Sequence, residues 1–295
     1  MTHQVLLFYK YVSIEDSALL RTELLALCSR LNLLGRGIVA EEGINITLEG
    51  LVADTEQFVT EIHKDPRFTD MSIKRSAGDG SSFPKLSIKV RDEIVGTHFP
   101  KEVDPRVQTA PRLTPDELKN WFENDEDFVI IDMRNDYEFR SGHFKNSINP
   151  GLEASRDLPN ALPKLQEFQN KKAVTVCTGG VRCEKMSAYL LANGFSDVYQ
   201  LEDGMHGYME KYPGEDFLGT LYTFDQRKVM DFGGPREVIG TCHLCGDKTE
   251  QYANCKDNFC HFHFLVCDSC SSPDGTYCSE TCKEKAYAIS EGANV

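Results

Sequence analysis

Eight of the eleven cysteines in this 295-residue chain lie between Cys242 and Cys282. They form four close pairs, Cys242-x2-Cys245, Cys255-x4-Cys260, Cys267-x2-Cys270 and Cys278-x3-Cys282. Apolar periodicity fades over the same stretch, so cross-linking through sulfur has to replace a hydrophobic core there. In a reducing compartment such density reads as metal ligation rather than as disulfides. Two pairs complete one tetrahedral zinc site, and four thiolates leave no open position, which makes the role structural. Spacing does not fix which pairs combine. One scheme interleaves the first with the third and the second with the fourth, and His261 or His263 could replace a thiolate. The competing reading is that the thiols are free or mutually oxidised.

The remaining cysteines are Cys28, Cys177 and Cys183. Composition sets their context: 40% of residues are hydrophobic and 26% charged, as in soluble globular proteins large enough for two or three domains. No apolar run approaches the ~18 residues of a membrane span. The start, "MTHQVLLFYKYVS", lacks a basic n-region and has its short apolar run broken by Lys10, so a cytoplasmic location is expected. A net charge of −14 opposes non-specific nucleic-acid binding over the whole surface. The best local basic face is residues 72–91, where Lys74, Arg75, Lys85, Lys89 and Arg91 outnumber the single carboxylate Asp79. A solvated hairpin-like stretch is the plainer reading of that segment.

Four segments are expected. In residues 1–94, "VLLFYK" reads as a strand. A helix capped by Ser13 and starting near Ile14 turns Leu19, Leu20, Leu24, Leu25 and Cys28 inward. "GRGIVA" and "GINITLEG" read as strands joined at Glu42–Gly43, residues 53–64 as a second helix and "KLSIKVR" as the last strand. This β-α-β-β-α-β order is a split-βαβ, ferredoxin-like unit, suited to binding or scaffolding. Residues 95–112 read as a linker. Residues 113–216 alternate strands ("DFVIIDMR", "KKAVTVC", "DVYQLEDG") with helices, the first capped by Thr114 with Pro115 behind it; a parallel α/β sheet covered on both faces follows. Residues 217–295 form the Cys-rich unit.

Cys177 stands where a buried strand ends, and the carboxyl ends of parallel strands carry the functional loops. Thr178, Gly179, Gly180 and Val181 then lead into a helix. The glycines let successive N–H groups turn inward, and with the helix N-terminus they form an anion nest. A thiol there ionises more readily, and Arg182 adds a permanent charge. The pattern fits a nucleophilic sulfur rather than an inert strand-end cysteine. Cys183 could resolve an oxidised or persulfidated Cys177, or could simply pack. Asp132 and Arg134, at another strand end, could line the same mouth. His143 reads as structuring its loop rather than as a base.

Residues 113–216 resemble a rhodanese domain, on "DMRNDYEFRSGHFKNSIN" (132–149), "CTGGVRC" (177–183) and "LEDGMHGY" (201–208). Rhodanese cysteines carry a persulfide, a role the resemblance passes to Cys177. Cysteine phosphatases use C-x5-R, commonly after a His, whereas Arg182 follows Cys177 as C-x4-R and Val176 precedes it. With the split-βαβ unit before and the cysteines from "CHLCG" to "YCSETC" after, the whole chain is similar to the rhodanese-like tRNA uridine hydroxylase family, whose N-terminal domain is acylphosphatase-like. "GINIT" departs from it at Ile46, where glycine is commoner, which counts against close ligand approach at that turn. The resemblance implies oxygen-dependent conversion of wobble uridine 34 to 5-hydroxyuridine, with molecular oxygen as co-substrate. It implies a tRNA anticodon stem-loop as partner, with the 72–91 cations on its backbone. No haem, flavin or non-haem-iron motif is evident, and the reductant or sulfur donor is not specified. A sulfurtransferase carrying a persulfide on Cys177 is the alternative, and a non-catalytic zinc adaptor the third reading.

Overall fold

The computed structural model describes residues 2–292. Its N-terminal unit runs β1 (His3–Tyr11), α1 (Ser17–Arg30), β2 (Leu34–Ala40), β3 (Gly43–Leu51), α2 (Val52–Ile62), β4 (Ile73–Gly78) and β5 (Leu86–Val90). The sheet order is β4-β1-β3-β2-β5. Within it β4 closes the split-βαβ motif by pairing antiparallel to β1. The segment "KLSIKVR" is therefore not the motif's last strand; as β5 it adds parallel to β2 on the opposite edge. The missed strand β4, "IKRSAG", has too few apolar residues to signal itself. Residues 72–91 thus span two distant edges and form no hairpin.

Helix α1 starts three residues later than its sequence suggests. Asp16, not Ser13, is the N-cap, with its side chain accepting from the Leu19 N–H. Leu20, Leu24 and Cys28 face the core at i, i+4, i+8 as expected and Leu25 packs partly buried beside them, but Leu19 lies off that stripe and is 55% exposed. Strands β2 and β3 meet across Glu41–Glu42, and Gly43 already belongs to β3. Strand alternation puts Leu6, Phe8, Ile44, Ile46 and Leu48 on the face covered by α1 and α2. Ile46 is thus a core residue within a strand. The opposite face, with Val5, Leu7, Tyr9, Asn45 and Thr47, is left uncovered by these helices.

The second unit contains β6 (Arg112–Leu113), α3 (Pro115–Glu123), β7 (Val129–Asp132), α4 (Asp136–Ser141), β8 (Gly142–Phe144), α5 (Leu158–Leu165), β9 (Ala173–Val176), α6 (Val181–Ala192), β10 (Val198–Leu201) and α7 (Gly204–Lys211). Its sheet, β6-β10-β9-β7, is parallel throughout. Thr114 and Glu117 complete a capping box on α3. Two apolar layers flank the sheet, one containing Ile131, Ala173, Met186 and Leu190, the other Ile130, Val174, Val176 and Leu201. The preceding connection is docked rather than loose: Phe99, Val103 and Ala110 are buried in the first layer, and Phe99 stacks on Tyr189 at 4.3 Å.

β11 (Phe217–Gly219) pairs with β8, and β12 (Leu221–Tyr222) with β13 (Val229–Met230) to form a hairpin. Beyond it, among the described residues, the Cys-rich unit has the strands β14 (Tyr252–Asn254) and its partner β15 (His263–Leu265), and the helix α8 (Glu280–Gly292).

Candidate active site

The uncovered face of the N-terminal sheet lies over the loop between β9 and α6. Leu7 packs against Gly179 and Tyr9 against Gly180, where an added Cβ would stand 2.8 Å from each. Gly180 has φ 98°, a conformation other residues rarely adopt, so its glycine is required by both backbone and neighbour. Charged contacts bolt the units together: Lys185 to Glu42 at 2.8 Å, and Lys74 to Asp203 at 2.6 Å.

Cys177 lies at the floor of the loop, fully buried. The Gly180 N–H donates to its Sγ at 3.1 Å. Burial pushes the Cys177 thiol up, but the Cys183 thiol donating to it, the Arg182 guanidinium, and the N–H groups of Cys183 and Arg182 outweigh that and bring it down to about 6. Cys183 is also buried; burial first, then the Cys177 thiolate, holds its thiol well above the usual range. The two thiols therefore divide the roles of anion and donor.

Arg182 is fixed by Glu138, its Nη1 and Nη2 donating to the carboxylate at 2.5 and 2.8 Å. Thr178 joins them, its hydroxyl donating to Glu138 at 3.2 Å and accepting from Arg182. Glu138 is fully buried; burial raises its pKa, yet Arg182 holds it below the usual carboxylate value. Sequence reading missed Glu138, although it lies in the "RNDYE" stretch and caps α4 together with Asn135. Asp132 and Arg134 do not reach the mouth. They pair with each other at 2.7 Å, at 1% and 0% exposure, and Arg134 also donates to the Gly142 carbonyl, bracing the sheet end from within. His143 stacks on Phe139 at 3.9 Å and bonds its carbonyl, as a loop-structuring residue would.

A cavity of about 780 Å³ opens between the loop and the sheet. Cys177, Thr178, Gly179, Val181 and Arg182 line one side, and Tyr9, Arg36, Asn45, Lys85 and Lys89 the other. The tip of the β12–β13 hairpin, Thr223 to Lys228, closes a third side. Of the basic residues read from the sequence, only Lys85 and Lys89 line this space. Lys74 is buried in its ion pair and over the Tyr9 ring, and Arg75 is held by Glu56 at 2.7 Å. Arg91 is exposed and lies outside the lining, its guanidinium donating to the Val90 carbonyl. Lys74 and Arg75 lie on β4 at one edge of the sheet and Lys85, Lys89 and Arg91 on or beside β5 at the other, so the two groups neighbour each other only in sequence.

The matched families are the UPF0176 acylphosphatase like domain over residues 3–94, the rhodanese-like domain over 114–211 and the rhodanase C-terminal family over 218–283. A tRNA uridine(34) hydroxylase of Cytophaga hutchinsonii is 39% identical over 95% of this chain and 90% of its own length. One from Staphylococcus carnosus is 40% identical over 97% and 90%. The chain belongs to the tRNA uridine(34) hydroxylase family. A crystal structure of a rhodanese-like domain protein from Staphylococcus aureus is 35% identical over 33% of this chain and 90% of that one, with a TM-score of 0.29.

In this member of the tRNA uridine(34) hydroxylase family the tail sorts its thiols in the interleaved scheme. Cys242, Cys245, Cys267 and Cys270 bring their sulfurs within 4.8 Å of one another, and so do Cys255, Cys260, Cys278 and Cys282. Each set could hold a metal ion. The histidine alternatives belong to neither set. His263 instead bonds Asn254 at 2.7 Å and Tyr222 at 3.2 Å, and stacks on Tyr252. Tyr252 in turn donates to the Tyr137 carbonyl, which ties the tail to the element bearing Glu138. Among the described residues no helix is long and apolar enough to cross a membrane.

Proposed function

We propose that this chain hydroxylates C5 of wobble uridine 34 in tRNA, using molecular oxygen and Cys177 as nucleophile. The observation that carries the reading is a thiol lowered to about 6 at the floor of a cavity large enough for a nucleotide. The Cys177 thiolate, or its persulfide, adds to C6 of the uracil and makes C5 nucleophilic. C5 takes one oxygen atom from the oxidant; loss of its proton and expulsion of sulfur restore the ring. The second oxygen leaves as water at the expense of two electrons from an external reductant. Arg182 and the loop N–H groups stabilise the charge that develops on the base carbonyl and on the departing thiolate. Cys183 supplies or takes the proton beside Cys177, and Glu138 positions Arg182.

The units 1–94, 113–216 and 217–295, joined through 95–112, divide the work. The first roofs the cavity, the second holds the nucleophile, and the third is a structural unit with zinc in each four-cysteine set, since tetrahedral tetrathiolate coordination suits that ion. The anticodon stem-loop is the partner, because a single-stranded base can be splayed into such a cavity. A cytoplasmic location belongs to the same reading. Nucleoside mass spectrometry of tRNA from cells lacking the protein tests it. Loss of 5-hydroxyuridine derivatives, restored by wild type and not by Cys177→Ala, is the expected result; restoration by Cys177→Ala would remove the thiol from the mechanism. Sulfur transfer is the second reading, favoured by the cradle of N–H groups that would suit a persulfide anion as well as a thiolate.

A further inference from the structure

Four cations lining the cavity, Arg36, Lys85, Lys89 and Lys228, form no side-chain hydrogen bond or ion pair with any described residue. Arg182 and Arg227, by contrast, are matched by Glu138 and Asp225. In a chain of net charge −14 this is a local surplus of unmatched positive charge, aimed into one concave space. Arg36 is surrounded by enough protein that desolvation lowers its pKa. Its guanidinium lies 5.4 Å from the centre of the Phe224 ring, and Arg182 of the Cys177 loop lies 5.4 Å from the same ring.

Phe224 stands on the tip of the β12–β13 hairpin, 38% exposed, while Phe83 on the same cavity is buried and Tyr9 is held by Glu184. The tip is fixed. Gln226 N–H donates to the Ser82 carbonyl at 3.1 Å, and Arg227 donates to Ser76 and the Ala77 carbonyl at 2.9 and 3.0 Å. The tip holds the Phe224 ring edge-on to Tyr222 at 5.2 Å and against the Arg36 and Arg182 guanidiniums, with over a third of its surface still open beside the Cys177 loop. Aromatic rings and guanidinium planes are the groups on which single-stranded bases stack.

We propose that Phe224 is the stacking platform for the wobble base and that Arg36 takes a backbone phosphate beside it. The assignment rests on the tRNA reading above. It is tested by the binding of a synthetic anticodon stem-loop to the full-length protein, which needs neither oxidant nor reductant. Phe224→Leu should weaken binding about tenfold or more, the scale of one base–aromatic stack, and Phe224→Trp should retain it. With wild-type protein, a stem-loop lacking only the base at position 34 should lose the same factor. Combining that RNA with Phe224→Leu should cost no more than either change alone. Arg36→Gln should lower the slope of log affinity against log salt by about 0.7, one single-strand phosphate contact. Wild-type protein indifferent to the missing base, or losses that multiply independently, would overturn the stacking role. An unchanged salt slope in Arg36→Gln would overturn the phosphate contact. Wild type that binds the stem-loop no better than a scrambled hairpin would instead remove the tRNA reading, and this assignment with it.

Discussion

The Cys177 loop and the Cys-rich tail both concentrate sulfur, and they do opposite things with it. At Cys177 one sulfur is surrounded by a guanidinium, backbone N–H groups and a second thiol that donates, so its anion is stabilised by groups of the protein itself, and the nearby Glu138 carboxylate is taken up by Arg182 and Thr178. In the tail four sulfurs gather within 4.8 Å, where their anions repel unless a cation sits among them. The first arrangement suits a nucleophile, and the second could hold a metal ion. What separates them is whether the positive charge is built into the protein or has to be supplied from outside.

The sharpest way to break that contrast is to remove each sulfur in turn. Cys177→Ala should abolish 5-hydroxyuridine formation while leaving metal content and melting temperature near wild type; a variant that also lost metal would show the two regions to be one unit. Cys242→Ser should do the reverse at first, dropping bound metal from two ions to one per chain by elemental analysis and opening the tail to proteolysis. Retention of both ions would dissolve the four-cysteine grouping.

Glu138→Gln comes next. It leaves a buried arginine without its counter-charge, and loss of one partner of such a pair costs about 3 kcal/mol or more in urea unfolding. The same change frees the Arg182 charge to act on sulfur, so the Cys177 titration should move down rather than up. An upward movement would mean that Arg182, once released, swings away from the sulfur, so that the position Glu138 imposes outweighs the counter-charge it brings.

Alkylation of Cys177 by iodoacetamide, followed by peptide mass spectrometry, should rise with pH around a midpoint near 6, because only the thiolate reacts. The reaction is lost below that pH, as the sulfur takes up its proton. A midpoint near that of a free cysteine would remove the built-in charge from the comparison. The smallest effect belongs to Cys183→Ser, which keeps a donor beside Cys177 and should leave the midpoint within about half a unit, whereas Cys183→Ala removes the donor and should raise it. Equal midpoints for the two would show that Cys183 only packs.

Strong local patterns carried most of what was legible. Continuous apolar runs marked β7 and β9, the Thr114 cap marked α3, and the glycines after Cys177 marked the loop. Weak local patterns failed. β4 is half polar because one of its faces lines an inter-unit space, and the start of α1 hinged on which of two cap-competent residues the chain would use. Asp132 and Arg134 show the same limit from the other side: a strand-end position is visible in sequence, but whether a side chain turns toward the cavity or back into the protein depends on what packs against it.

The sequence by itself determined that Cys177 would be a strand-end thiol followed by glycines, an arginine and a helix, because those features lie within a few residues of one another and act through local backbone geometry. It determined the supply of paired cysteines for the same reason. Only the tertiary structure decided which pairs combine, that Glu138 restrains Arg182 from 44 residues away, and that an N-terminal sheet roofs the loop. It also brought Arg36, Lys89, Phe224 and Cys177 around one cavity. Those contacts join segments far apart in the chain, and they form because one face of the first sheet is left uncovered by its own helices and must be buried against something else.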